Sequence, residues 1–164
     1  MMLKAFYRRN LPHLQRDCKP HFLTFCTYRR WVLPDWAQDT VLQSCLHEDH
    51  VKIELHAVAV MPDHAHLIFT PLAANLVTCS LAEITKAIKG ASSHLINRKL
   101  GRRGRVWQEE SFDRVLRGSE RLREKIEYVV NNPVRAGIVG RAGDYRWLWV
   151  SAGIDLDIVP RKPC

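Results

Sequence analysis

The sequence predicts an α+β domain of ferredoxin-like type, in which an antiparallel sheet is covered by helices on one face. Two patterns predict this class. Short segments alternate apolar and polar residues, as half-buried strands do, and three longer segments repeat apolar residues at helical spacing. In chain order they read strand, helix, strand, strand, helix, strand, helix. With 164 residues, of which 46% are apolar and 26% charged, the chain suits one domain with a core.

The first half of the chain contains three predicted strands and one helix. Residues 20–28 alternate and are rich in aromatic and β-branched types, which predicts a strand. Residues 36–48 carry apolar residues along one helical stripe, and residues 51–60 alternate again. Met-Pro-Asp at 61–63 predicts a turn, so residues 64–70 form the second strand of a hairpin.

This second strand, HAHLIFT, carries two histidines. His64, His66 and Ile68 share one face, whereas the residues between them are apolar and share the other. Two imidazoles at this spacing lie roughly 7 Å apart along a strand. The arrangement suits two ligands of one metal ion, but such pairs also occur by chance.

The second half contains two predicted helices and one strand. Residues 81–99 predict a long amphipathic helix, and residues 101–105 (GRRGR) a flexible basic loop. Residues 111–117 fit a short strand. A last helix is expected to begin at the capping residue Ser119 and to end at Asn132-Pro133, because proline disfavours a helical residue before it.

The whole chain, 1–164, is expected to form one domain with its core at about 10–149 and a loosely held tail at 150–164. The five cysteines are odd in number and lack a CxxC pair, which favours buried free thiols. Neither a signal peptide nor an apolar run of ~20 residues is recognisable, so a cytoplasmic protein without membrane contact is expected.

The charge of the chain is unevenly distributed. Net charge is +8, and in residues 86–125 twelve Lys and Arg face five Asp and Glu. This distribution indicates a polyanionic partner, most commonly nucleic acid. A solvated basic surface without a ligand explains the charge alone equally well.

A second notable stretch is EYVVNNPVRAG, in which Tyr128 and Asn132 are four positions apart and share one face of the last predicted helix. Taken alone, a core tyrosine and a helix-stopping asparagine are the simpler interpretations. Together with the His-x-His strand and the basic segment, the two residues indicate a functional site.

The ordered set of these segments resembles the REP-associated tyrosine transposases, a branch of the single-tyrosine transposases in the HUH endonuclease superfamily. The resemblance covers about residues 10–149. It rests on LPHLQ (11–15), AVMPDHAHLIF (59–69), KAIKGASSHLINRKLGRRGRVWQEESFDRVLR (86–117), IEYVVNNPVRAG (126–137) and DYRW (144–147).

The resemblance implies an HUH endonuclease-like sandwich and a divalent cation, Mg²⁺ or Mn²⁺, held by His64, His66 and Asn132. Related transposases often have Gln at the last of these positions, and Asn is shorter. Zinc is the less favoured ion, since the sequence places no Cys or carboxylate to complete a closed site. Asp63 is interpreted first as a turn former and second as a carboxylate that orients a histidine.

By the same resemblance Tyr128 is the nucleophile, which forms a 5′-phosphotyrosine link and frees a 3′-OH. No general base is evident, and His56 and His94 qualify by residue type only. Trp107 and Phe112 could stack on an unpaired base, but core packing is favoured for both. The residues expected to follow the DNA backbone are Lys86, Lys89, Arg98, Lys99, Arg102, Arg103 and Arg105.

The resulting hypothesis is a metal-dependent transposase that cleaves and rejoins single-stranded DNA at hairpin or palindromic sequences. The family includes homodimers and chains that work alone, so both states are open. One alternative is a domesticated relative that binds structured DNA without cutting it. The other is a His-x-His metal hydrolase unrelated to DNA, with Tyr128 in the core, which leaves the charge of residues 86–125 unexplained.

Overall fold

The computed structural model describes residues 18–74 and 77–154. Their strands are β1 (His21–Thr27), β2 (Ile53–Val60), β3 (His64–Pro71), β4 (Ala73–Ala74), β5 (Val77–Thr78), β6 (Trp107–Val115) and β7 (Leu148–Val150). Their α-helices are α1 (Asp35–His47), α2 (Leu81–Lys99) and α3 (Ser119–Arg135). An antiparallel sheet has the spatial order β6-β1-β3-β2-β7, and β4 pairs with β5 alone.

The predicted elements are present in the predicted order, which confirms the α+β class. α2 begins and ends at the predicted residues, and a capping box between Ser80 and Glu83 stabilises its start. Four strands differ from the prediction. β6 already begins at Trp107. The short pair β4 and β5, and the half-buried β7 that pairs with β2, were missed because two or three residues carry little periodic signal.

Helices cover both faces of the sheet, so the prediction that they cover one face is wrong. α1 and α2 pack on the face that includes Leu23 and Leu67. α3 packs on the other face, where Val129 joins a buried cluster with Ile68 and Ala59. The central strands are apolar on both faces, and such strands need a cover on each side.

α3 differs from the prediction at both ends. Gly118, with φ at 88°, precedes the helix as its N-cap, and Ser119 is already helical instead of serving as the cap. Pro133 lies inside the helix, which continues to Arg135. Proline is tolerated there because only the last turn follows it, so the loss of one backbone N–H donor affects little of the helix.

The start of β3 is held by hydrogen bonds from the end of β1 and from the segment before α1. The amide and the hydroxyl of Thr27 both donate to the carbonyl oxygen of Asp63, at 2.9 and 3.0 Å. The amide of Leu33 donates to the carbonyl of Pro62 at 2.6 Å. Because these carbonyls are paired with distant backbone, the turn that presents His64 has one defined geometry.

Several predictions concern residues outside the described ranges. The segment 11–15, most of the tail (155–164) and Cys164 lie there, so the single-domain prediction for 1–164 stays a prediction. Cys18, Cys26, Cys45 and Cys79 are free thiols, but of these only Cys45 is buried. Across 18–74 and 77–154, no helix has the length and apolar character needed to span a bilayer.

Candidate functional site

The two histidines of β3 lie together on the face that α3 covers. The ring centroids of His64 and His66 are 4.7 Å apart, and the ring planes meet at 76°. This follows from the strand period of two, which places both side chains on one face.

Each imidazole is oriented by a hydrogen bond at Nδ1. His64 Nδ1 lies 2.6 Å from a carboxylate oxygen of Asp63, whose other oxygen pairs with Arg30 Nε at 2.9 Å. His66 Nδ1 lies 2.7 Å from the hydroxyl of Thr24. A carboxylate only accepts, so the proton of neutral His64 sits on Nδ1 and its Nε2 keeps a lone pair. Asp63 therefore orients a histidine, although its interpretation as a turn former had been preferred from the sequence.

His66 is held in its neutral form. It is 6% exposed, and Phe22 stacks on it with ring centroids 5.5 Å apart. Burial, together with the nearby charges of His64, Arg135 and Lys125, lowers the pKa of His66 to about 3. Neutral imidazole is the form that binds a metal ion.

α3 brings Tyr128 next to this pair. The ring centroid of Tyr128 lies 5.8 Å from that of His66 and 6.0 Å from that of Phe22, and the side chain is 37% exposed. Val129, the next residue, is buried against Ile68 and Ala59 and fixes the helix on the sheet. The tyrosine is therefore at the sheet face and still open to a ligand.

Two cations that the sequence prediction missed lie on the tyrosine ring. Lys125 Nζ is 4.7 Å and Arg135 Cζ is 4.1 Å from its centroid. Arg135 also donates to the carbonyl oxygen of Tyr128 at 3.2 Å. Their spacing from Tyr128, three positions before and seven after, is the spacing of one helix face and could have revealed them.

Asn132 follows Tyr128 by one helical turn and is partly buried. Within residues 18–74 and 77–154, no three His, Cys, Asp or Glu side chains converge into a metal site. A third protein ligand beside the two imidazoles would therefore be of another type, and the amide oxygen of Asn132 is of a suitable type. The donor set is compatible with a divalent cation.

The comparisons with known proteins agree with this arrangement. Residues 14–132, well over half of the chain, match the family model described as "Transposase IS200 like". The chain belongs to this family. It is also 24% identical over 127 residues to a curated REP-associated tyrosine transposase of Haemophilus influenzae, which covers 72% of this chain and 69% of that relative.

Solved structures show the same fold. The structure of a REP-associated tyrosine transposase bound to a REP hairpin has a TM-score of 0.67 at 19% identity, over 96% of this chain and 98% of that one. A transposase structure from Deinococcus radiodurans has a TM-score of 0.43 at 24% identity, over 80% of this chain and 97% of that one, and supports no conclusion. The predicted resemblance and fold are confirmed.

The basic residues predicted to contact DNA lie in two places in this IS200-like transposase. Lys86 and Lys89 lie on α2, on the opposite face of the sheet from Tyr128. Lys89 is half-buried, and its ammonium donates to the carbonyls of Gln108 and Glu109 at 2.6 and 3.1 Å. Lys89 thus ties α2 to β6, and Lys86 is exposed.

The remaining basic residues lie at the end of α2 and in the loop that follows. Lys99 lies 4.5 Å from the ring of Trp36, and Arg102 lies 4.8 Å from the ring of Trp31. Arg105 lies 5.8 Å from the ring of Tyr28. Tyr28 precedes Arg30 by two residues, and Arg30 pairs with Asp63, so this loop borders the histidine end of the sheet. Arg98 and Arg103 are exposed.

The two aromatic candidates have different environments. Trp107 is 5% exposed, lies 4.7 Å from the ring of Phe25 and donates to the hydroxyl of Ser92 at 3.0 Å, so it is a core residue as favoured. Phe112 is 58% exposed, and the core interpretation is wrong for it. An alternating strand at a sheet edge exposes one face that local sequence cannot identify.

The two histidines considered as general bases lie away from the tyrosine. His56 is hydrogen-bonded to Thr70, at 2.8 Å, four residues along β3 from His66. At strand rise this is roughly 13 Å. His94 is exposed on α2, on the other face of the sheet.

Proposed function

We propose that this chain cleaves and rejoins single-stranded DNA through a covalent 5′-phosphotyrosine at Tyr128, in a reaction that depends on a divalent cation. One observation carries the proposal. The Tyr128 ring lies 5.8 Å from His66, beside a pair of oriented imidazoles and under two cations, in a chain of the IS200-like transposase family.

His64 and His66 would hold the cation through Nε2, and the amide oxygen of Asn132 would complete the protein ligands. The hydrogen bonds to Asp63 and Thr24 support this assignment, because they occupy Nδ1 on both rings. Nitrogen and amide oxygen donors suit Mg²⁺ or Mn²⁺ at an open site. Bound there, the ion would polarise the scissile phosphate and offset its growing charge.

The protein's own groups perform the remaining steps. The oxygen of Tyr128 attacks phosphorus and loses its proton to water, and the bond from phosphorus to the 3′ oxygen breaks. The 3′ oxygen leaves with the electron pair and is protonated to a 3′-OH. Lys125 and Arg135 supply fixed positive charge beside the reacting phosphate. Rejoining reverses these steps, since a phenolate is a good leaving group.

We further propose that the substrate contains a hairpin or palindrome. The REP-associated tyrosine transposase that shares this fold is bound to a REP hairpin, and the exposed basic residues of this chain suit a DNA backbone. Lys86, Arg98, Lys99, Arg102, Arg103 and Arg105 would contact phosphates, and Lys89 would support them structurally.

The test is a covalent adduct assay. A pool of DNA strands with a fixed hairpin and a randomised single-stranded tail is labelled at the 3′ end and incubated with protein and Mn²⁺ or Mg²⁺. The proposal expects the 3′ label to move with the protein on a denaturing gel, because tyrosine keeps the 5′ phosphate of the downstream fragment. The upstream fragment should carry a 3′-OH that a polymerase extends.

Two tyrosine variants provide the matched comparison. Tyr128→Phe should reduce the adduct to background. Tyr145→Phe should retain it, since Tyr145 is buried on the other face and donates to the carbonyl of Val60 at 2.7 Å. An undiminished adduct with Tyr128→Phe contradicts the nucleophile assignment. If the wild-type protein binds the hairpin but forms no adduct, the result would support a domesticated DNA-binding protein. If it shows metal-dependent hydrolysis without DNA binding, the result would support the unrelated hydrolase.

A further inference from the structure

An exposed aromatic ring lies in the same row of the sheet as the histidine pair. Phe112 of β6 pairs with Thr24 of β1, and Thr24 pairs with His66 of β3. Residues paired directly across neighbouring strands share a face, so Phe112 is on the face of Tyr128. Two strand spacings separate Phe112 from His66, which is roughly 10 Å. The small Thr24 side chain lies between the two rings.

The ring of Phe112 is held in place by the aromatic group around the nucleophile. Phe22, which is 5% exposed, contacts Phe112, Tyr128 and His66 with centroid distances of 6.2, 6.0 and 5.5 Å. The contact of Phe22 with Phe112 is edge-to-face, at 69°. Phe112 is therefore continuous with the candidate active site and still leaves 58% of its side chain exposed to a ligand.

Positive charge lies close to Phe112. Lys125 Nζ lies 4.8 Å from the centroid of Phe22, the ring that Phe112 contacts. Arg114, two positions after Phe112 on the same face, pairs across the strands with Phe22. Arg114 is exposed and forms no ion pair with another residue of 18–74 or 77–154. An open aromatic ring with cations nearby suits single-stranded nucleic acid.

We propose that Phe112 is the stacking platform for an unpaired base of the substrate strand, close to the phosphate that Tyr128 attacks, and that Arg114 contacts a neighbouring phosphate. The inference rests on the proposed function. It assigns an occupant to the exposed ring, because the nearby positive charge of Lys125 and Arg114 suits a nucleotide and disfavours an apolar partner.

Fluorescence of 2-aminopurine locates the stacked base. Hairpin oligonucleotides that carry 2-aminopurine at successive tail positions are bound to Tyr128→Phe protein, which should not cleave them. Stacking should quench one position, and the quench should disappear when Phe112→Ala is added to the same protein. Phe112→Trp should keep it, whereas Phe112→Leu, apolar but not aromatic, should not.

Abasic DNA then separates stacking from other effects. On intact DNA, Phe112→Ala should weaken binding by about 5- to 150-fold, the range for loss of one base–aromatic stack. On DNA without a base at the quenched position the same substitution should change little. Arg114→Ala should weaken both DNAs equally and reduce the salt dependence by about one phosphate contact. Thermal unfolding of Phe112→Ala should change by only a few degrees, since the ring contacts Phe22 but is largely exposed.

Three results would overturn the inference. Equal loss on intact and abasic DNA, or full rescue by Phe112→Leu, would show that no base stacks there. A wild-type dimer that becomes monomeric with Phe112→Ala would show that a second chain covers the ring. The adduct assay with wild-type protein tests cleavage separately from base stacking. Absence of an adduct there counts against cleavage, and the fluorescence series still decides stacking.

Discussion

At the residue scale, His66 shows how the site is organised. The ring is buried, and a buried imidazole with an unsatisfied nitrogen costs free energy. Thr24 provides the partner for Nδ1, and Phe22 covers one side of the ring. What remains is one ring nitrogen, directed by a hydrogen bond on the opposite side. The same organisation recurs at His64 with Asp63, and Asp63 is itself paired with Arg30.

Thr24→Val removes the hydrogen bond to His66 at nearly constant shape. Loss of such an orienting partner typically reduces metal affinity or activity by about 10- to 100-fold. We therefore expect Thr24→Val to raise the Mn²⁺ concentration for half-maximal activity by that factor, and Thr24→Ser to restore it. Calorimetric titration of Mn²⁺ into the protein measures the same change without catalysis.

A matched control lies on the neighbouring strand. Thr70→Val removes the analogous hydrogen bond to His56, 2.8 Å long, at a position away from Tyr128. This variant should bind Mn²⁺ as the wild type does. If Thr24→Val also binds normally, the hydrogen bond does not position His66 for a metal ion.

At the scale of elements, α2 and β6 are joined by a lysine that sequence reasoning had assigned to DNA. The ammonium of Lys89 reaches two carbonyls and the hydroxyl of Ser111. Burial lowers the pKa of Lys89, and the nearby Glu109 charge opposes this shift. Lys86, one turn earlier, is exposed. Spacing on a helix does not distinguish the two, because their difference lies in the strand that packs beside them.

The two lysines should respond oppositely to substitution by methionine. Lys89→Met leaves backbone carbonyls of β6 without their donor and should reduce the free energy of unfolding by about 1–3 kcal/mol. Lys86→Met should change it by less than about 0.5 kcal/mol and should instead weaken hairpin DNA binding. Urea unfolding and a salt series of DNA binding measure both. Equal stability of the two variants would contradict the structural role of Lys89.

At the scale of the whole molecule, the two faces of the sheet differ in composition. α1 and α2 cover the larger core, whereas the face of α3 combines a small apolar cluster with the histidines and the tyrosine. The segment after α3 connects back to the larger core. Tyr145 donates to the carbonyl of Val60 at 2.7 Å, and Gln38 of α1 donates to Tyr145 at 3.1 Å.

This buried connection predicts a loss of stability in alkali. Burial raises the pKa of Tyr145 to about 12, above the ordinary value of 10. Its contribution is present below pH 10 and is lost as pH rises from 10 to 12, by up to about 2–3 kcal/mol. Burial also raises the pKa of the Cys45 thiol, which acts in the same direction. Urea midpoints should fall above pH 10, and less steeply in Tyr145→Phe; identical slopes would contradict the prediction.

The sequence by itself determined what depends on local pattern. A period of two places His64 and His66 on one face, a capping residue and an amphipathic repeat define α2, and a spacing of four aligns Tyr128 with Asn132. The ordered motifs were enough to identify the family that the comparisons then confirmed. The period, the cap and the spacing are set by residues a few positions apart, whereas the family follows from the order of motifs along the chain.

Only the tertiary structure decided which distant residues meet. Thr24 and His66 are 42 positions apart, and their contact depends on the register of β1 against β3. The same register continues to β6 and places Phe112 beside the site. The sequence of β6 alone is equally compatible with a buried Phe112. α3 packs on this face because the apolar side chains there need a cover, and that packing brings Tyr128 to the histidines. Such contacts arise from strand register and packing between remote segments, and no local period encodes them.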